Sequence, residues 1–569
     1  MTTLFPAGKA GRERPLVRMI LALVGAATLT PAALAAPVLP ARQLVSAEVA
    51  LSRGEYPEAS RQLREAARSS RDPAVAERAA RVAFDYAQPR ELERIATDWL
   101  GRDPKAEAPR RFRAIAELEL DNAHAAAADF RVLIKTAYET PAAAFASLQE
   151  SLGSLDAVGA AAAAVGELLP DYPATPEAFL AHAELSLHAA NSKAALASVE
   201  RVLALRPGDR EALWLRARAH VLARDCDLGL NEASGLAAEG APRDRLIYAW
   251  LLSSCSHQDD AQRILKDLTR VPQIKPEALE VLAGNALDAG RLDEAEGLYR
   301  EALAVTRVAD TATFGLAQIA ERRGNKSQAE RLYSGITEGG RAVAAQVSLY
   351  RLLVDSGEPD VAARVLDDFV MHSPERLVAT TSRAELLSDR GRSADALSLL
   401  ERARRMYPDD SNLAMSQAAA LDKAGRLDDA LAVLRSEQKL RPLDPLVANS
   451  LGYTLADHGR DLPAAQKLIV AALAVRPDSP AIQDSYGWVL FRQNRPGDAV
   501  PWLARAYAGD PDPEVALHLG EAQWATGDQA AASNTWSRAL KRAPDNTQLK
   551  DVLTRRGLPQ PAAGTSPKP

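Results

Sequence analysis

Five glycines set a beat that few folds can accommodate. Gly290, Gly324, Gly357, Gly391 and Gly425 are spaced by 34, 33, 34 and 34 residues. An alanine follows each of them five positions on: Ala295, Ala329, Ala362, Ala396 and Ala430. Prolines keep a similar beat at Pro374, Pro408, Pro442, Pro477, Pro511 and Pro544. Between these marks apolar residues recur at helical spacing, as in Ala396, Leu400 and Ala403. The pattern describes a two-helix unit. Glycine ends the first helix, helix A, because it takes a left-handed turn without strain. The alanine lies early in helix B, where a larger side chain would push the two helices apart. Proline then stops helix B, since it cannot continue the hydrogen-bond ladder. One such pair cannot bury its own apolar face, so pairs must stack.

The beat resembles that of the tetratricopeptide repeat (TPR). That resemblance implies an all-α fold, an α-solenoid wound as a right-handed superhelix with helix A lining its concave face. A chain of 569 residues is too long for one compact core, which stops growing near ~250–300 residues. A solenoid escapes this limit because each unit touches only its neighbours. Aromatic residues make up only 5% of the chain, which suits closely packed helices rather than a sheet. The regular array is expected over residues 276–546 and a degenerate helical half over 36–275. Gly54, Ala59, Leu63 and Ala66 mark a first repeat, but the units that follow lose the glycine. The period yields about thirteen or fourteen helical pairs. Gly459 to Ala465 is six residues, one more than elsewhere. The tail, 557–569, is too rich in proline and small residues to fold.

The first 35 residues read as an export signal. Basic residues end at Arg18, an apolar run from Met19 follows, and Ala33-Leu34-Ala35 supplies a small-x-small cleavage site. An uncleaved anchor helix is the alternative, although the apolar run is shorter than the ~20 residues a span requires. No cysteine precedes Cys226, so none is available for lipid attachment at that site. The expected location is the periplasm, with no transmembrane span in the mature chain.

Net charge is −6, and the first 35 residues carry a local +3, so the remainder is more acidic still. A mildly acidic chain without a basic stripe argues against nucleic-acid binding. The eight histidines show neither an i, i+4 pair nor metal-ligand spacing. Gly335-Ile-Thr-Glu-Gly339 superficially resembles a nucleophile elbow, but no strand precedes it. Gly324-Asn-Lys326-Ser327 lacks the glycine directly before lysine that a phosphate loop needs. The chain is therefore expected to be non-enzymatic and to need no cofactor or metal.

Binding chemistry is concentrated at the C-terminal end. The helix A register places Asn449, Tyr453 and Asp457 on the concave side of one repeat. Asp484, Trp488, Phe491 and Arg492 follow in the next, then His518, Glu521 and Trp524. Aromatics interleaved with polar groups suit an extended peptide or a partner helix, with Trp488 and Trp524 as anchors and the polar groups meeting a bound backbone. The competing reading is that both tryptophans pack between repeats. Cys226 and Cys255, read as lying near the ends of helix A in successive repeats, either form a disulfide in an exported protein or are two small buried thiols.

The runs Asn449-Ser-Leu-Gly-Tyr-Thr-Leu-Ala-Asp457, Asp484-Ser-Tyr-Gly-Trp-Val-Leu490 and Asp512-Pro-Glu-Val-Ala-Leu-His-Leu-Gly520, with Trp536-Ser-Arg-Ala-Leu540, carry a closer resemblance. They resemble exported bacterial TPR proteins, the outer-membrane lipoprotein adaptors that partner a periplasmic carboxy-terminal processing protease. The resemblance implies a scaffold that brings the protease to substrates such as cell-wall hydrolases. The chain departs from those adaptors in lacking the lipidated cysteine. A TPR assembly factor for outer-membrane or exopolysaccharide export machinery is the second reading.

Overall fold

The structure, a computed structural model, describes residues 41–560 except 154, 156, 305–308, 373–375 and 544–545. The export signal, Pro374, Pro544 and most of the C-terminal tail lie outside the described residues. Among those residues there are 31 α-helices and no strand. They run from α1 (Ala41–Ser52) to α31 (Thr547–Arg555), with odd numbers as helix A and even numbers as helix B. The result is an all-α solenoid of fifteen helical pairs closed by α31, rather than thirteen or fourteen. The units without a glycine marker turn out to be full pairs.

The small-residue register explains the stacking. Ala295, Ala329, Ala362, Ala396 and Ala430 are each 0% exposed. A larger side chain at these points would overlap helix A. The turn before each runs through a left-handed residue, as at Gly391 with φ +74°. Where the extra residue falls, Asp461 takes the left-handed conformation itself, φ 41°, and its carboxylate caps Ala464 N–H. Apolar side chains form a succession of local clusters along the chain, not one core.

One pair departs from the pattern. In pair four, α7 (Pro141–Leu152) packs on α9 (Pro176–His188), while α8 (Val158–Leu168) packs on α6 (Ala123–Thr136) and α9. Its turn residue Gly153 is not left-handed, with φ −64°.

The solenoid also touches itself. Gln88 Nε2 donates to Met406 O at 2.8 Å, Arg90 pairs with Asp409, and the Tyr56 and Tyr407 rings lie 5.6 Å apart. Farther along, Asp478 N–H donates to Ala190 O at 3.0 Å, while Asp478 Oδ2 accepts from Ser192 N–H at 2.7 Å. Arg476 Nε donates to Ala189 O at 3.1 Å, and Arg505 Nη2 to Ala223 O at 3.1 Å. In each case a helix A–helix B turn of an early pair meets the exit of helix B in a late pair. These are opposite edges of the helical ribbon, so successive coils join along a seam. The polar contacts are 318 and 319 residues apart on one side of pair four, and 282 to 288 apart on the other. The register slips by about one repeat there, because pair four takes no part.

Cys226 and Cys255 are joined by a disulfide, with Cα atoms 5.8 Å apart. Their placement differs from the expectation. Cys226 opens α12 (Cys226–Ala238), a helix B, whereas Cys255 caps the end of α13 (Pro242–Ser254), the next helix A. A helix B start and the following helix A end share one edge of the ribbon, which brings the sulfurs together.

Candidate protein-binding groove

Three helix A elements carry the candidate site: α25 (Pro445–Asp457), α27 (Pro480–Arg492) and α29 (Pro513–Ala525). Each begins with proline at its first position, where the missing N–H costs nothing. The Asp444 and Asp512 carboxylates accept from Leu446 and Glu514 N–H and so cap α25 and α29. Sequence reasoning missed three glycines here. Gly452, Gly487 and Gly520 sit mid-helix, where glycine costs ~1 kcal/mol. A Cβ on Gly520 would fall 2.1 Å from Trp536 Nε1, and one on Gly487 2.6 Å from Leu503 Cγ. The same holds at Gly452 against Ile469. Close approach on this side seats each helix A against its own helix B. The signal was available: a mid-helix glycine with a bulky residue 16 or 17 positions on.

The structure brings most of the expected residues into one network. Trp488 stacks on His518 of the next repeat, ring centroids 4.0 Å apart, and on Phe491 at 5.0 Å. Its indole N–H donates to Asp457 Oδ1 of the preceding repeat at 3.0 Å. Arg492 lies over the Trp488 ring at 5.7 Å and donates to Asp457 O. Tyr453 lies beside His518, ring centroids 6.1 Å apart, and its hydroxyl donates to Glu514. Trp524 stacks on Trp536 at 6.0 Å beneath the Arg556 guanidinium, and Arg556 pairs with Glu521 at 2.7 Å.

This network changes the role of the polar groups expected to meet a bound backbone. Asp484 and His518 are buried, 6% and 7% exposed, and face each other at 3.0 Å. Arg492 and Glu521 are likewise partnered within the solenoid. All four groups are engaged in joining repeats, and at the depth of Asp484 and His518 an unpaired charge would be costly. Asn449 differs: its Oδ1 is shielded from solvent and has no hydrogen-bond partner among the described residues. Tyr453, Trp488, Phe491 and Trp524 are only half-buried. Both tryptophans therefore pack between helices while part of each side chain stays exposed.

Electrostatics follow burial. Burial by itself pulls the His518 imidazole down, but the Asp484 carboxylate outweighs it and the pKa is raised. Burial, with Glu514 alongside, holds the Tyr453 phenol far above its usual range. A ladder of acid–base contacts also runs along the helix A ends, unread in the sequence: the ion pairs Asp355–Arg390 at 2.6 Å, Asp389–Lys423 and Asp457–Arg492 at 3.6 Å, and the Asp422–His458 contact at 2.7 Å. Its trace is an acid next to a base at 389–390, 422–423 and 457–458. Exposed pairs of this kind contribute ~0–1 kcal/mol each.

Elsewhere, a cleft of about 240 Å³ is lined by Tyr350, Arg383, Arg392 and Arg402. Asp367 and Asp395 already pair with Arg383 and Arg392. Thr337 of the elbow-like run lies in the loop after α18 (Lys326–Ser334). Among the described residues no three histidine, cysteine or acidic side chains group as a metal site. No described helix is long and apolar enough to cross a membrane.

Comparison with known proteins agrees with the repeat pattern. Tetratricopeptide repeat family models match residues 281–342, 381–445, 450–514 and 513–538. A TPR repeat-containing protein of Pseudomonas aeruginosa, PA4667, is 47% identical over 76 residues, which is 13% of either chain. Among solved structures, a thermophilic TPR protein of Thermus thermophilus is 23% identical, with TM-score 0.29, over 31% of this chain and 96% of its own. The Cut9–Hcn1 hetero-tetramer of APC/C is 14% identical over 90% of this chain and 96% of its own, with TM-score 0.30. Yeast Tom70 is 12% identical over 91% and 94%, with TM-score 0.33. At these TM-scores the solved structures carry no argument about curvature or partners. Tetratricopeptide repeat models thus match four segments between residues 281 and 538, less than half of the chain, and the buried alanine register and paired helices of those segments agree with the match.

Proposed function

We propose that the chain is a non-enzymatic scaffold whose C-terminal groove seats a segment of a protein partner. The observation that carries this reading is the stacked, half-buried Trp488–Phe491 pair on α27. Partly exposed aromatic faces are the make-up of an interface anchor. The export signal favours work in the periplasm. The resemblance of the groove helices to protease adaptors favours a periplasmic processing protease and its substrates as partners. The test places a photo-crosslinking amino acid at Phe491 and, as control, at the exposed Val470 on helix B. An adduct at position 491 with a defined envelope protein, and none at 470, supports the groove. Equal adducts at both positions, or adducts only at 470, refute it.

A further inference from the structure

The disulfide and the seam share one turn. Ala223 and Arg224 connect α11 (Arg210–Leu222) to α12. Ala223 O accepts from Arg505 across the seam. Arg224 is left-handed, φ 68°, and its guanidinium reaches the second coil, where a Cβ on Gly509 would fall 2.7 Å from Nη2. Two residues on, Cys226 ties this turn to the exit of α13. The bond therefore joins the turns of pairs six and seven along the edge that the second coil touches.

The electrostatics at this point oppose closure. Arg224 and Arg505 both flank Asp478, and the Asp478 carboxylate already accepts from Ser192 N–H and pairs with Arg505 at 3.1 Å. Two guanidinium groups share one buried carboxylate. Burial, then Arg505, push the Arg224 pKa down, and only Asp478 opposes them. The turn itself is strained for a residue with a side chain. A covalent tie that holds the Ala223 carbonyl in place offsets these terms. Both cysteines are half-buried rather than sealed in the core.

We infer that Cys226–Cys255 is a redox latch on the seam: its reduction frees the α11–α12 turn and releases pairs thirteen and fourteen from pairs five and six. The seam is drawn from contacts alone and stands whether or not the groove binds a partner. The reductant is a dithiol. Its thiolate attacks one sulfur, a mixed disulfide forms, and its second thiol displaces the remaining cysteine. Two electrons and two protons pass to Cys226 and Cys255, which become thiols, and the dithiol leaves as its own disulfide.

Hydrogen exchange on the full chain tests the latch, with and without dithiothreitol. Reduction should strip protection from 189–192 and 475–478 together, while helices α25, α27 and α29 stay protected. The Cys226→Ser, Cys255→Ser double variant should show the open pattern and no further response to dithiothreitol. Arg505→Ala should open the same segments in the oxidised chain. Loss confined to residues near 223–258, with 475–478 unchanged, overturns the inference. So does loss of protection throughout the chain on reduction, which would make the disulfide a plain stabiliser.

Discussion

At the turn between helix A and helix B, the early and late pairs reach the same left-handed backbone from different residues. The later pairs use Gly290, Gly324, Gly357, Gly391, Gly425, Gly459 and Gly527, except pair fourteen, which uses Asn494 at φ 61°, and pair one already uses Gly54. Pairs two, three, five, six and seven use Ala87, Asp121, Ala190, Arg224 and Ser256, with φ between 50° and 68°. Five residues on, the early half still places a buried group: Leu92, Ala126, Ala195 and Ala261 are 0% exposed, and Gly229 lies against the Ala217 carbonyl. What the array requires is therefore the turn conformation and the tight position after it. Glycine is the least strained way to make the turn, not the only one. A non-glycine residue there costs ~1–2 kcal/mol. In pair five the second coil offsets part of that cost, holding Ala190 O through Asp478 N–H.

The largest expected difference between the halves comes from the disulfide, which only the early half has. In the chain-entropy model, replacing both cysteines by serine costs about 3 kcal/mol. Chemical denaturation under non-reducing conditions measures it, and a shift below ~0.5 kcal/mol would show that the tie constrains little. Next is the tight position. Ala430→Leu in the late half and Ala195→Leu in the early half should each cost about 1–3 kcal/mol by overpacking. If only Ala430→Leu lowers the melting temperature, the two halves do not share a register.

The turn residue should give opposite signs. Gly391→Ala is expected to destabilise by ~1 kcal/mol, whereas Ala190→Gly should be neutral or stabilise by up to ~1 kcal/mol. Equal destabilisation by both would break the comparison. Smallest is a pH effect at Asp121, which faces Asp444 and Arg441 across the seam. Burial first, then Asp444, raise its carboxyl from 3.8 to about 6. A raised carboxyl favours the protonated folded state, so stability is lost as pH rises from ~4 to ~6. Asp121→Asn should therefore stabilise by on the order of 1 kcal/mol at pH 7, after solvent screening. Melting curves at pH 7 and pH 4 check the sign, since the gain should vanish at the lower pH.

These differences also mark what the sequence disclosed. The late array was legible because glycine and proline punctuate it at a fixed interval. The early pairs were hidden because Ala87, Asp121 and Ala190 carry no compositional mark of a left-handed turn. The seam was not legible at all, since it joins single residues some 280 to 320 positions apart. In the groove, the register named Trp488, His518 and Asp484 but not their partners. Side chains on neighbouring repeats satisfy one another before any ligand arrives, and a single-repeat register cannot show that.

The late half is proposed to carry the binding surface, and one paired measurement tests this most directly. Affinity for the captured partner and thermal melting are determined together for Trp488→Ala and Trp524→Ala. Truncating a true anchor should cost about 2 kcal/mol or more of binding, with the folded fraction still melting cooperatively. Lower melting with unchanged affinity of the folded fraction would contradict the account, leaving both tryptophans as packing between repeats.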